Sequence, residues 1–212
     1  MINVLRSAIF FLLILPIVSC EAQQKTYQVG VHYEMLPQTM RTSDPSRIEV
    51  NELFSYHCGH CYNFQEMIHD WSNDLDKDVD FQRTHVVWNP SLEIYAKAYN
   101  TAVVLGVLDE LHMAIFEAIH LKKENLQTEG DLLAIFVSQG VDKNRFTQVF
   151  NSFGVASMVS RGDSRVRGYR TKGTPELVIN GKYRVTSRLS GGFENMLRVA
   201  DFLVDKERLA QK

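Results

Sequence analysis

The chain has 212 residues and a formal net charge of −2, and 45% of its residues are hydrophobic. This is the composition of an ordinary globular protein, long enough for one large domain or for one domain with an insertion. So balanced a charge does not suggest nucleic-acid binding, and we expect no nucleic-acid partner.

Residues 1–19 have the pattern of a secretory signal. Arg6 precedes an apolar run, residues 8–18, which is shorter than the roughly 20 residues that a membrane-spanning helix needs. The end of the segment has two interpretations, since Ile-Val-Ser-Cys resembles the box before a lipid-modified cysteine and Cys20-Glu-Ala also fits ordinary cleavage. Both predict export to an oxidising compartment, in which disulfides persist, and the first adds a lipid anchor at Cys20.

An α/β pattern follows the signal. Alternating apolar residues predict a strand over residues 27–35, and β-favouring runs predict two more over residues 48–55 and 78–87. Between the last two, apolar residues recur at helical spacing from Cys61 onward. The second and third cysteines of the chain, Cys58 and Cys61, are therefore expected at a strand-to-helix junction.

The rest of the chain divides into a helical block and a return to α/β structure. Residues 89–167 carry apolar residues at helical spacing and are expected to form an inserted helical domain. Residues 168–212 contain Asn180-Gly181, a strong hairpin signal, and then an amphipathic helix. Together with residues 23–88, this last part is expected to complete one domain that the helical block interrupts.

The segment EVNELFSYHCGHCY, residues 49–62, admits four kinds of site. A structural zinc site needs about four ligands, and no second paired cluster follows, so we expect no metal. A c-type haem site needs histidine directly after the second cysteine, and that position is Tyr62. A structural disulfide remains open, although so short a loop would remove little chain entropy. The fourth kind is a redox dithiol that needs no other cofactor.

The local chemistry favours the redox dithiol. A thiol at the first turn of a helix meets free backbone amides and the positive end of the helix dipole, and both stabilise the thiolate. Cys58 is therefore the candidate nucleophile, and Cys61 can attack the mixed disulfide that Cys58 forms. His60 can donate to the Cys58 sulfur or carry positive charge beside it, which would lower the pKa of that thiol.

Glu52 is a further candidate site residue, because it shares a strand face with apolar residues in a strand that otherwise suggests burial. A buried carboxylate should have a raised pKa and could exchange protons with Cys61. Arg83 could pair with Glu52 if the second and third strands are neighbours. The alternative is an edge position at which Glu52 faces solvent.

The segments ELFSYHCGHCYNF and TPELVING, the interposed helices and the export signal together resemble the DsbA family of bacterial thiol:disulfide oxidoreductases. The resemblance spans nearly all of the mature chain and implies an α/β thioredoxin fold with an inserted all-helical domain. It implies that Pro175 is a cis-proline facing the disulfide and that Thr174 binds an extended substrate strand through its backbone. The implied partners are reduced, unfolded exported proteins and a membrane redox partner of the DsbB type, in the periplasm.

The resemblance makes introduction of disulfide bonds the expected function. Two departures keep an isomerase or reductase open, because Gly59-His60 resembles protein disulfide isomerase and Thr174 resembles the periplasmic isomerases. A different class of function is a periplasmic scaffold that merely carries a stable disulfide. That class predicts a buried and unreactive Cys58.

Overall fold

The computed structural model describes residues 26–211, so the predicted signal, Cys20 and residues 23–25 lie outside the described residues. One mixed sheet lies at its centre, in the order β1-β5-β4-β2-β3. The strands are β1 (Glu34–Met35), β2 (Ile48–Phe54), β3 (Val79–His85), β4 (Glu176–Ile179) and β5 (Tyr183–Thr186). Strand β2 pairs in parallel with β3 and antiparallel with β4.

Eight α-helices accompany the sheet in the described part of the chain. They are α1 (Gly59–Asn73), α2 (Glu93–Leu105), α3 (Leu108–His120), α4 (Glu129–Ser138), α5 (Lys143–Phe150), α6 (Phe153–Tyr169), α7 (Ser187–Ser190) and α8 (Phe193–Ala210). Among residues 26–211, none of the helices combines the length and the apolar character that crossing a membrane requires.

Strand β2 is buried along its whole length because structure covers both faces of the sheet. On one face, Phe64 of α1 and Leu203 of α8 belong to the core cluster that includes Val50. On the other, Val166 of α6 packs with Leu53. Each fully buried side chain of this size contributes about 1.5–3 kcal/mol of hydrophobic stabilisation. The carboxyl end of β2, which leads to the cysteines, is therefore held in a rigid core.

The predicted strand over residues 27–35 is wrong for most of its length. Only Glu34 and Met35 pair with β5, and the chain before them forms a tight turn in which Gly30 has φ +80°. Val29 and Val31 are more than half exposed. Alternation was misleading here because the glycine turn folds the segment back on itself, leaving these valines without a sheet face to cover.

The later elements follow the predicted order. Helices α2 to α6 occupy the interval between β3 and β4, and α6 runs to Tyr169, two residues past the expected boundary at 167. The apolar residues of α2 to α5 form a core cluster of their own, which also takes in Phe54 and Cys61. The predicted hairpin is confirmed, since Asn180 and Gly181 both have positive φ, at 49° and 62°, as a two-residue turn of this type requires.

Candidate active site

Cys58 is the N-cap of α1, at the strand-to-helix junction that the sequence predicts. Its sulfur accepts a hydrogen bond from the Cys61 backbone N–H at 3.3 Å. The first amides of a helix have no partner within the helix, so they are free to donate to a group placed at the N-cap. The Cys58 side chain is partly exposed, whereas Cys61 is fully buried, and both are free thiols.

The surroundings of the Cys58 sulfur strongly favour its thiolate. A hydrogen bond from the Cys61 thiol, followed by donors from the Thr174 side chain and the backbone amides of Cys61 and His60, lowers the pKa of Cys58 to about 5, against the opposing effect of partial burial. These donors bind the charged sulfur more strongly than the neutral thiol, and that difference is the physical origin of the shift. At neutral pH the Cys58 sulfur is accordingly an anion.

Cys61 has the opposite tendency. Burial raises the pKa of its thiol, and both the hydrogen bond it donates to Cys58 and the negative charge there raise it further. The two sulfurs of one motif therefore have well-separated proton affinities. This division suits an exposed nucleophile and a protonated neighbour that gains reactivity only when its proton is removed.

The loop that precedes β4 faces the Cys58 sulfur. The peptide bond between Thr174 and Pro175 is cis, as the resemblance implies. The Cys58 thiol, when protonated, donates to the Thr174 carbonyl oxygen at 3.3 Å, whereas hydrogen bonding by the Thr174 side chain lowers the pKa of Cys58. Pro175 is buried and Thr174 is partly exposed, so the backbone at Thr174 lies at the surface beside the reactive atom.

His60 contacts the site through its backbone. Its backbone N–H helps to lower the pKa of Cys58, whereas its side chain is exposed and its ring contacts Phe193, with ring centroids 6.5 Å apart. Within residues 26–211 the structure shows no hydrogen bond from the imidazole to the Cys58 sulfur. The expected effect of a charged His60 ring on the Cys58 sulfur stays a prediction.

Glu52 is fully buried, so the solvent-exposed alternative is wrong. The expected neighbour is present, because Arg83 lies opposite Glu52 in the parallel pair and its Nε donates to Glu52 Oε2 at 2.9 Å. Burial raises the pKa of Glu52, although Arg83 and a hydrogen bond from Gln65 act in the other direction. Burial therefore favours the protonated form of this carboxyl group.

Gln65 and His112 extend this acid into a directed hydrogen-bond chain that the sequence did not reveal. The Gln65 amide nitrogen donates both to Glu52 Oε1 at 3.1 Å and to the Cys61 carbonyl at 3.2 Å. A carbonyl can only accept, so Gln65 must turn its oxygen to His112 Nε2, 2.9 Å away, and that nitrogen must carry the proton. The other ring nitrogen, Nδ1, then accepts from the Tyr56 hydroxyl at 2.9 Å.

Tyr56, two residues before Cys58, is held by three histidines. Besides the His112 contact, its backbone N–H donates to His85 Nε2 at 3.1 Å, and its carbonyl lies 2.8 Å from His120 Nε2. His85 belongs to β3, and the other two belong to α3 of the helical block. Burial lowers the pKa of His85 to about 3, which leaves a neutral ring that can accept. The loop carrying Cys58 is thus fixed from the sheet and from the insertion together.

A cavity of about 350 Å³ opens between α1 and α3 beside this network. Gln65, Arg83 and His112 form its inner wall, and His69, Asp70 and Asp109 are among the residues farther along its lining. Glu52 itself does not line the cavity, but its partners Gln65 and Arg83 do. Across residues 26–211 there is no group of three or more His, Cys, Asp or Glu side chains placed to hold a metal ion.

Comparison with known proteins gives consistent matches. Residues 49–198 match the family model for the DsbA-like thioredoxin domain. The thiol:disulfide interchange protein DsbA of Pseudomonas aeruginosa is 36% identical over 191 residues, covering 90% of each chain, and that of Azotobacter vinelandii is 36% identical over 184 residues, covering 87% of this chain and 86% of that protein.

Solved structures match over a similar extent. The crystal structure of Pseudomonas aeruginosa DsbA has a TM-score of 0.84 at 36% identity and covers 87% of this chain and 96% of that one. The oxidoreductase DsbA of Xylella fastidiosa has a TM-score of 0.80 at 34% identity, covering 86% and 98%. The similarity therefore includes the sheet, the helical insertion and the segment with both cysteines.

Proposed function

The chain belongs to the DsbA-like thioredoxin-domain family, with the expected thioredoxin fold and helical insertion, and we propose that it introduces disulfide bonds into exported proteins by exchange through Cys58 and Cys61. The observation that carries this proposal is the position of the partly exposed Cys58 sulfur at the N-cap of α1, where it accepts from the Cys61 backbone N–H. The family works with a redox-active cysteine pair and needs no external cofactor. Exchange then requires only the two sulfurs and the groups that control their protons.

The reaction starts from the oxidised enzyme. A substrate thiolate attacks Cys58, the Cys58–Cys61 bond breaks, and Cys61 leaves with the electron pair and takes up a proton. A second substrate thiolate then attacks the substrate sulfur of the mixed disulfide and releases Cys58 as a thiolate. The substrate gains one disulfide, and the enzyme gains two electrons as a dithiol. Because Cys58 is stable as an anion, it is a good leaving group and the reduced enzyme is favoured.

Glu52 supplies the proton that Cys61 takes up. Burial favours its protonated form, and Gln65 links it to the Cys61 backbone. Solvent in the cavity between α1 and α3 can restore that proton after each turnover. Arg83 limits how far the pKa rises, which keeps the proton transferable in both directions.

The substrate binds as an extended strand beside Thr174 and Pro175. Backbone hydrogen bonds to Thr174 would align the substrate thiol with Cys58 without selecting a side-chain sequence, which suits an enzyme that acts on many unfolded chains. His60 contributes its amide to the thiolate and leaves its ring at the rim of the site.

Substrate proteins and a DsbB-type oxidant are the partners that membership of the family implies. We place the protein in the periplasm, where proteins of this family act, and infer that its substrates are reduced, unfolded exported proteins. A lipid anchor at Cys20 would hold it at the membrane beside its oxidant. Trapping both cysteines in cells by alkylation tests the direction of electron flow: an oxidase is expected to be mostly oxidised, and a mostly reduced pair would indicate an isomerase or reductase.

Disulfide transfer in solution tests the function itself. Oxidised protein mixed with a reduced, unfolded substrate is expected to oxidise it, and Cys58→Ser is expected to abolish the transfer. Full activity of the serine variant would refute the mechanism. The scaffold alternative requires a buried and unreactive Cys58, whereas the Cys58 side chain is partly exposed.

A further inference from the structure

Glu176 is a buried carboxylate directly after the cis-proline. It is the first residue of β4 and is 3% exposed. Its Oε1 accepts from the backbone N–H groups of Lys172 and Gly173, at 3.3 and 3.2 Å. The loop before Pro175 is therefore folded back onto the side chain that follows it.

Arg184 of β5 completes the arrangement from the neighbouring strand. It is 6% exposed, and its Nε lies 3.3 Å from Glu176 Oε2. Its Nη2 donates to the backbone carbonyls of Tyr169 and of Arg170 at the carboxyl end of α6. Helix carboxyl ends leave carbonyls without partners and favour a positive charge, so Arg184 satisfies this end in both respects.

The pair thus fixes both ends of the segment that joins the helical insertion to the cis-proline loop. Arg184 holds the segment where α6 ends, and Glu176 holds it just before Thr174. A buried ion pair is weak as a source of stability, because desolvation of the two charges offsets their attraction. Its hydrogen bonds to four backbone groups of one short segment therefore indicate a role in geometry, and the segment ends at the Thr174 carbonyl, 3.3 Å from the Cys58 sulfur.

We propose that Glu176 and Arg184 are positioning residues that hold Thr174 in contact with the Cys58 sulfur and present its backbone to substrate. The substrate part of this inference rests on the proposed function, whereas the sulfur part does not. Without the carboxylate, two loop amides lose their acceptor and Arg184 keeps only the exposed Glu34, 3.3 Å from its Nη1, as a counter-charge, so the loop relaxes away from Cys58. The thiolate then loses the donor that Thr174 supplies.

Alkylation of the reduced full-length protein tests the sulfur part without any substrate. If Glu176→Ala raises the pKa of Cys58 by about one pH unit from its value near 5, the rate of alkylation by iodoacetamide at pH 4.5 falls about eightfold. In the transfer assay the KM for a reduced peptide is expected to rise on the order of tenfold, with a smaller change in kcat. Glu176→Gln keeps an oxygen for the two amides and is expected to stay within about twofold of wild type.

Glu207→Ala is the matched control, because Glu207 is also buried and accepts from the Asn180 and Lys182 side chains at the opposite end of the same hairpin. It is expected to lower stability and to leave alkylation unchanged. If Glu176→Ala does not fold, Arg184→Lys is tested instead, since lysine keeps the charge but has one nitrogen, which cannot reach both Glu176 and the carbonyls at the end of α6. The proposal is overturned if the variant that folds, Glu176→Ala or Arg184→Lys, is as stable as the Glu207→Ala control and is alkylated at the wild-type rate. Failure of the wild-type protein to transfer disulfides would instead overturn the proposed function.

Discussion

The imidazole of His112 lies 2.9 Å from the Tyr56 hydroxyl, so a helix of the insertion is hydrogen-bonded to the loop that carries the reactive cysteine. The same ring donates to Gln65, which contacts both Glu52 and the backbone of Cys61. The helical insertion therefore does more than cover the sheet. It orders the polar groups beneath the site, and several measurable properties depend on that order.

Replacing His112 with phenylalanine should destabilise the protein by about 2–4 kcal/mol, because the buried Tyr56 hydroxyl and Gln65 oxygen both lose a partner. Burial lowers the pKa of His112 well below 6.5, so its neutral form contributes stability above pH 6.5 that is lost as the pH falls. The variant should show a smaller loss of stability on acidification. Urea unfolding from pH 7 to pH 4 measures both effects, with His69→Phe on the exposed face of α1 as the control.

Glu52→Gln should flatten the pH dependence of stability on the neutral side. Burial raises the pKa of Glu52 above its usual 4.5, so the folded state binds this proton more tightly than the unfolded chain does. The wild-type protein therefore loses stability as the pH rises from 4.5 through the raised pKa, by up to about 1.4 kcal/mol per pH unit from this group. Denaturant unfolding of the oxidised wild-type and Glu52→Gln proteins at several pH values measures this. If the free energy of unfolding depends on pH equally in both proteins, the prediction is wrong. The variant Glu66→Gln, at an exposed position of α1, should leave that pH dependence unchanged.

The reduced protein should depend on pH in a way that the oxidised protein does not. Because the pKa of Cys58 is lowered to about 5, its thiolate contributes stability to the reduced fold above the pKa of an unfolded thiol, and this is lost as the pH falls through 5. Unfolding of both redox forms between pH 8 and pH 4 should show the reduced form to be the more stable at pH 7. The difference in the free energy of unfolding between the two forms should be smaller at pH 4. A difference that does not change with pH would count against a stabilised thiolate.

Thr174→Val should raise the pKa of Cys58 by about one pH unit, because the variant keeps the shape of threonine and loses the hydroxyl that donates to the sulfur. Thiolate absorbance during a pH titration of the reduced variant measures the change. Thr171→Val is a close control, since the Thr171 hydroxyl is buried without a hydrogen-bond partner in the same loop. An equal change in both variants would mean that loop packing, and not the Thr174 hydroxyl, controls the sulfur.

The sequence was sufficient to predict the position of the cysteines and the burial of Glu52. Those expectations rest on local signals, namely an apolar run before Cys58 and helical spacing after Cys61. The pairing of Arg83 with Glu52 needed one further assumption, that β2 and β3 are adjacent, and the register confirms it. Short-range patterns work at this site because one strand, one turn and one helix build most of it.

The rest of the network could not be found in this way. Gln65, His112 and Tyr56 belong to three segments that meet only in the folded chain, and a lone histidine or glutamine at helical spacing has no signal that distinguishes it from a surface residue. The prediction of a strand over residues 27–35 is wrong for a similar reason. Alternation was present, but whether Val29 and Val31 had a face to cover depended on strands more than 100 residues away in sequence.

Titration of the Cys58 thiol in the reduced wild-type protein tests the account most directly. Thiolate absorbance or the pH dependence of alkylation should give a pKa near 5, with Cys61 remaining protonated through neutral pH. A Cys58 pKa of about 8.5, that of an ordinary free cysteine, would contradict the proposed mechanism at its first step.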